Sequence, residues 1–238
     1  MDLSYKNKIA TRFLIVFLIF MILVNKSSFA AEKSARGDYQ TEGSTTIFTH
    51  FVNKGLSHSQ QDPSLQTNMF IPLGPQFRIG LWGSNVSYEN SDNHIWLKVL
   101  FDLRLEFNKD VDLIIGYNIN QFYKNRVRNG NDSVLSLNIF DFHIRYENES
   151  NWEGTDTRAR YVSFGKSFKI YNNVEWDNQL GYSMVSVENL QSYFDIRSTL
   201  SSTFNKLEFL IAVTATSNPG QFNGRGDVFG ILGMGFKY

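Results

Sequence analysis

Residues 94–122 constrain the fold more than any other stretch. Ile95, Leu97, Val99, Phe101, Leu103, Leu105 and Phe107 occupy every second position, with Trp96, Lys98, Leu100, Asp102, Arg104 and Glu106 between them. Alternation with period two puts one set of side chains on each face of a strand. After the turn residues Asn108-Lys109-Asp110 the pattern resumes: Val111, Leu113, Ile115, Tyr117 and Ile119 share one face, and Asp112, Gly116, Asn118 and Asn120 the other. Strands of soluble proteins run about 3–10 residues, so both arms are long. An apolar face backed by a charged one suits a transmembrane hairpin, with lipid on one side and a lumen on the other. A long hairpin in a secreted β-sandwich shares the alternation, so the rest of the chain has to separate the two.

The first thirty residues point to export. Lys6, Lys8 and Arg12 precede the apolar run 13–24, and Ser28-Phe29-Ala30 places small residues where a signal peptidase reads. The pattern is that of a cleaved signal peptide over 1–30, with a mature chain from Ala31. The apolar run is shorter than the ~20 residues a spanning helix needs. With no later apolar run of that length, any span must be made by strands closed into a barrel. The zero net charge gives no basic footprint for nucleic acid. The absence of cysteine excludes a disulfide framework and thiolate metal sites.

Residues 31–44 are polar and aperiodic and read as a flexible periplasmic lead-in; 45–238 reads as the barrel. Candidate strands fall at 45–53, 64–71, 76–87, 94–107, 111–122, 133–138, 141–149, 157–168, 173–187, 192–204, 207–216 and 227–238. In the first of these Ile47 and Phe51 compete with Phe48 and Val52 for the apolar face. Near Ile139-Phe140 a change of parity implies a reversal or a bulge. The connections alternate between short and longer, more polar ones. Outer-membrane barrels show this asymmetry, and an even strand number puts both termini on the periplasmic side. The expected fold is all-β: an antiparallel up-and-down transmembrane barrel of about twelve strands in the outer membrane of a Gram-negative cell.

The end of the chain carries a second signal. Gly233, Phe236 and Tyr238 place a glycine, an aromatic and a terminal aromatic in one strand, resembling the C-terminal signal read by the barrel assembly machinery. Three further pieces, Val52-Asn53-Lys54-Gly55-Leu56-Ser57, Gln61-Asp62-Pro63-Ser64-Leu65-Gln66 and Gly80-Leu81-Trp82-Gly83-Ser84-Asn85-Val86, resemble in order and spacing the TorF-type porin family of proteobacterial outer-membrane barrels. The signature positions are Gly55, Asp62, Pro63, Trp82, Gly83 and Ser84. Members usually carry Arg where Lys54 stands and Gln where His58 stands. The resemblance implies a porin-type barrel and an outer-membrane location.

A twelve-stranded barrel falls between small barrels filled by side chains and large ones holding a water channel. By parity the candidate lumen residues are Arg78, Lys98, Asp102, Arg104, Glu106, Asp112, Asn118, Asn120, His143, Arg145, Glu147, Asp195, Arg197 and Glu208. Acids and bases are nearly balanced, so strong ion selectivity is not expected. The expected partners are outer-membrane lipid, the assembly machinery and small hydrophilic solutes in passive passage, with no cofactor and no metal. A non-conducting barrel with a fully paired interior is the alternative. No catalytic residues are expected: His50, His58, His94 and His143 lie in no local Ser–His or metal-spacing motif. Trp82 reads as a lumen or interface aromatic, Gly55 as a turn position and Asp62-Pro63 as a turn start.

Overall fold

The period-two pattern carries through to the tertiary structure. A computed structural model describes residues 41–89 and 91–238. The wall strands are β1 (Glu42–Phe48), β4 (Ser64–Pro72), β5 (Phe77–Asn85), β6 (Ile95–Asn108), β7 (Val111–Phe122), β8 (Gly130–Ile139), β9 (Phe142–Glu149), β10 (Ala159–Tyr171), β11 (Val174–Val185), β12 (Tyr193–Phe204), β13 (Leu207–Thr216) and β14 (Phe229–Lys237). Each pairs antiparallel with its neighbours, and β1 pairs with both β4 and β14, closing a twelve-stranded barrel. Closure leaves each of these twelve wall strands paired on both sides. The signal-peptide region and most of the expected lead-in lie outside the described residues.

Connections at one end are the turns 73–76, 109–110, 140–141, 172–173 and 205–206; at the other they are the loops 49–63, 86–94, 123–129, 150–158, 186–192 and 217–228. Phe140 and Asn205 adopt φ of 53° and 54° to make their tight reversals. The change of parity near Phe140 is therefore a reversal between β8 and β9, not a bulge in one long strand.

The apolar set of every strand points away from the lumen. Leu97, Phe101, Leu135, Phe164, Leu180, Ile196, Ile211 and Leu232 are all exposed on the outer wall. Phe77, Phe107, Phe140, Tyr171, Phe204 and Tyr238 ring the short-turn end, as aromatic girdles do where a barrel meets the membrane interface. Lys166, on the outer wall beside this ring, lies over Phe142 and Phe168, 4.6 and 4.9 Å from the centroids.

Two expectations need correction. β1 begins at Glu42, inside the stretch read as lead-in, because Gly43 and Tyr238 exchange backbone hydrogen bonds of 3.2 and 3.0 Å. The strand expected over 45–53 leaves the wall after Phe48, and 49–63 turns into the lumen. There β2 (Val52–Asn53) and β3 (Leu56–Ser57) make a small hairpin. Burial drives this: Val52 packs with Ala212, Phe229 and Ile231, and Phe51 with Trp96, Val86, Tyr88 and Phe122.

Leu180 is mid-strand and exposed on the outer wall. Leu180→Arg is expected to lower stability by about 2–4 kcal/mol in bilayers, measured by denaturant unfolding in lipid vesicles. A change under about 0.5 kcal/mol, the usual range for a solvated surface site, would contradict a lipid-facing wall.

Candidate functional site in the barrel lumen

The hairpin turns at Lys54-Gly55, both at positive φ, 49° and 74°. Counted around the ring from the β1–β4 seam, β9 stands on the opposite wall. Lys54 reaches it: its Nζ lies 2.5 Å from Glu147 Oε1 and 2.5 Å from Glu149 Oε1. Asp132 on β8 belongs to the same acidic cluster, and the lysine ammonium supplies the cation there. Thr216 Oγ1 donates to the Gly55 carbonyl at 2.5 Å. A Cβ on Gly55 would fall 2.3 Å from Thr216 Oγ1 and 2.7 Å from Asp195 Cβ, so this position needs glycine for space as well as for φ. The segment is thus a bar across the lumen, anchored in one wall and ion-paired to the other.

At the long-loop end the bar is fastened to three other loops. Ser57 N–H donates to Arg225 O at 2.7 Å, and Ser87 N–H to His58 O at 2.8 Å. Glu153, in a short 3-10 turn at Trp152–Gly154, contacts Arg128 and lies 2.7 Å from Arg225. Burial alone would raise the Glu153 pKa, but Arg225 and Arg128 outweigh it and hold the carboxyl well below the usual range. His58 meets Tyr88 Oη at 2.8 Å. Burial, reinforced by Arg225, Arg128 and Lys98, pushes its pKa down to about 3, leaving a neutral ring at working pH. The Arg128 guanidinium stacks 3.9 Å over Tyr88.

The wall carries the rest of the charge, and most of it is paired between strands: Arg78–Asp102 at 2.9 Å, Lys98–Asp132 at 3.7 Å, Arg104–Asp112 at 3.5 Å and Lys237–Glu208 at 2.9 Å. Arg104–Glu106 at 3.3 Å and Arg145–Glu147 at 2.8 Å run along one strand. His143 Nε2 lies 3.7 Å from Asp177. The register puts Asn118 opposite Asp132, Asn120 opposite Lys98, Asp195 opposite Gly181 and Arg197 opposite Gln179. All fourteen candidate lumen residues fall on the wall face opposite the exposed apolar set. Two cavities of about 240 and 220 Å³ flank the bar, and both touch Val52, Asn53, Lys98 and Arg197.

Of the signature residues, Trp82 points inward, its ring centroid 5.8 Å from Phe51 and 5.3 Å from Trp96. Asp62 N–H donates to Ser59 O at 2.8 Å, and Pro63 O accepts from Asn85 Nδ2 at 3.0 Å; together they return the chain to the wall. Ser84 Oγ donates to Asn85 O at 2.9 Å. Gly83 faces outward opposite Leu97. In β14, Gly233 lies opposite Phe48, Phe236 opposite Thr45, and Tyr238 Oη donates to Asn68 O at 3.2 Å.

Sequence reading missed one pair: His50 Nε2 and Ser57 Oγ lie 2.7 Å apart. They meet across the hairpin and not in a local motif. Ser57 is only 1% exposed, and the His50 ring packs edge-on against Phe229. The pair fastens the hairpin and presents no accessible nucleophile.

No protein-family profile matches the chain, and no curated protein does. Solved structures do. The KdgM porin aligns with a TM-score of 0.56 at 10% identity, over 84% of this chain and 98% of that one. The NanC porin aligns with a TM-score of 0.52 at 9% identity, over 82% and 98%. The likeness is one of fold: this chain shares the closed antiparallel β-barrel architecture of these porins.

Lys54→Met would leave Glu149 without its cation and Glu147 with Arg145 alone, a loss of about 3–5 kcal/mol. Lys54→Arg keeps the charge and is expected to lose far less. Urea unfolding of both variants in detergent checks the contrast. Equal stability of Lys54→Met and the unaltered protein would contradict the pairing.

Proposed function

We propose that this chain is an outer-membrane channel giving passive passage to small hydrophilic solutes, with the 49–63 bar restricting the path. The observation that carries the reading is a charged, polar inner wall with cavities on both sides of the bar, inside a closed barrel with an apolar outer wall. Burying so many ionisable groups without water is costly, and a hydrated path relieves that cost. The solved structures it resembles are porins, one of them in complex with disordered oligogalacturonate. The TorF-type signature fits the same reading, since Gly55, Asp62, Pro63 and Trp82 all shape or receive the bar. Members' arginine at the Lys54 position would keep the cation opposite Glu147 and Glu149. The N-terminal export signal and an outer-membrane location complete the proposal.

A non-conducting barrel is the second reading, favoured by the cross-strand ion pairs and the ion-paired bar. Planar-bilayer recording on purified protein separates the two. Stable unitary steps are expected, and Gly55→Val is expected to enlarge them, because its side chain overlaps Thr216 and Asp195 and drives the tip off the wall. A silent bilayer for both proteins would overturn the channel reading.

Assembly through the C-terminal strand is part of the proposal. Removing Phe236–Tyr238 deletes the Thr45↔Phe236 and Ser44↔Lys237 pairings and reopens the β1 edge. The truncated chain is expected to lose heat-modifiable migration on detergent gels and to be degraded in cells. Normal membrane levels with unchanged migration would contradict this role for the end of β14.

A further inference from the structure

We infer that the cavity of about 240 Å³ between the bar and Lys98 and Arg197 is a binding site for a small organic carboxylate. The inference deepens the channel reading, on which it rests for its place on a solute path; the site itself stands on the composition of the cavity. Its charged lining residues are Lys98 and Arg197, and among the described residues no aspartate or glutamate lines it. β6 and β12, which carry these two cations, stand diametrically opposite in the ring, so the cations approach the bar from two sides.

Five other inward-facing bases have acids. Lys54, Arg78, Arg104, Arg145 and Lys237 each contact a carboxylate. Arg197 differs: among the described residues no carboxylate lies within ion-pair range of it, and its Nε reaches only Thr199 Oγ1, at 3.3 Å. Lys98 is held loosely, 3.7 Å from Asp132, with its Nζ 4.4 Å from the Trp96 ring centroid. A guanidinium with free donors, lining the same cavity as a loosely held ammonium, is suited to a carboxylate, which accepts charge-assisted bonds from such groups.

The remaining lining selects an organic body over an inorganic ion. Trp82, Trp96 and Phe51 form an aromatic wall, with the amide of Asn53 beside it. A volume of about 240 Å³ accommodates a compact acid in place of several waters, each of which takes about 30 Å³. Chloride or phosphate would leave the aromatic wall without a partner.

The test is a tryptophan-fluorescence titration of the purified, folded barrel in detergent with benzoate, against an empty-micelle blank. Inorganic phosphate and tetramethylammonium at matched ionic strength are the controls. A saturable response to benzoate is expected, with little response to either control. Arg197→Gln should weaken it about tenfold or more, the loss of one charge-assisted bond, and Arg197→Lys should recover part of it. Lys98→Gln, also expected to weaken binding, provides a second reading should Arg197→Gln not fold. Absence of saturation, an equal response to phosphate, or unchanged affinity in a folded Arg197→Gln or Lys98→Gln barrel would overturn the site. Bilayer recording on the same preparations reports the channel separately: conducting protein that does not bind benzoate sinks only the site, and silent protein that binds it sinks only the channel.

Discussion

The fold depends on pairing every strand on both sides. A strand that faces lipid has no water to satisfy its backbone, so its hydrogen bonds must come from neighbouring strands, and the ring must close. In this chain the closing seam is the shortest strand of the wall, β1, held between β14 and β4. Once the ring closes, alternation sorts most side chains at once: the exposed aliphatic and aromatic set faces outward and most charged groups face inward. The lumen's chemistry is therefore a consequence of closure, and so is the need to pair or hydrate the charges collected there.

The inserted bar answers part of that need. Glu147, Glu149 and Asp132 form a concentration of negative charge on one wall, and Lys54, carried across from the opposite seam, supplies the counter-charge. The same segment covers Trp82 and Trp96 with Phe51 and His58. Its far end is locked among loops by Glu153, Arg128 and Arg225. A bar fixed at both ends narrows the lumen without filling it, which leaves the flanking cavities that Lys98 and Arg197 line.

Much of this was legible in the sequence, and the reason is period two. Ile95 to Phe107 marked one hairpin and its two faces, and the same parity rule puts Arg78 and Glu208 on the face opposite the exposed apolar set. Tight-turn residues such as Asn108-Lys109-Asp110 marked the short-turn end. The bar was harder to read because Phe51 and Val52 continue the apolar content of β1, so the strand seemed to run on. The signal was the parity conflict itself: Ile47 and Phe48 belong to the wall, while Phe51 and Val52 obey a different packing surface. Lys54-Gly55 between apolar Val52 and Leu56 is a hairpin tip, but nothing local says that it points inward. The Glu153 cluster was not legible at all, since its partners come from three other loops and meet only after closure.

The placement of the bar is open to a direct distance measurement, because the chain contains no cysteine. Lys54→Cys combined with Glu147→Cys, treated with a short bismaleimide, should give an internally cross-linked species with altered gel mobility. Lys54→Cys combined with Glu208→Cys, on a different wall near the short-turn end, should not. Cross-linking of the first pair alone is the expected result. No cross-link between positions 54 and 147 in a folded barrel with both thiols reactive would contradict a bar that crosses the lumen.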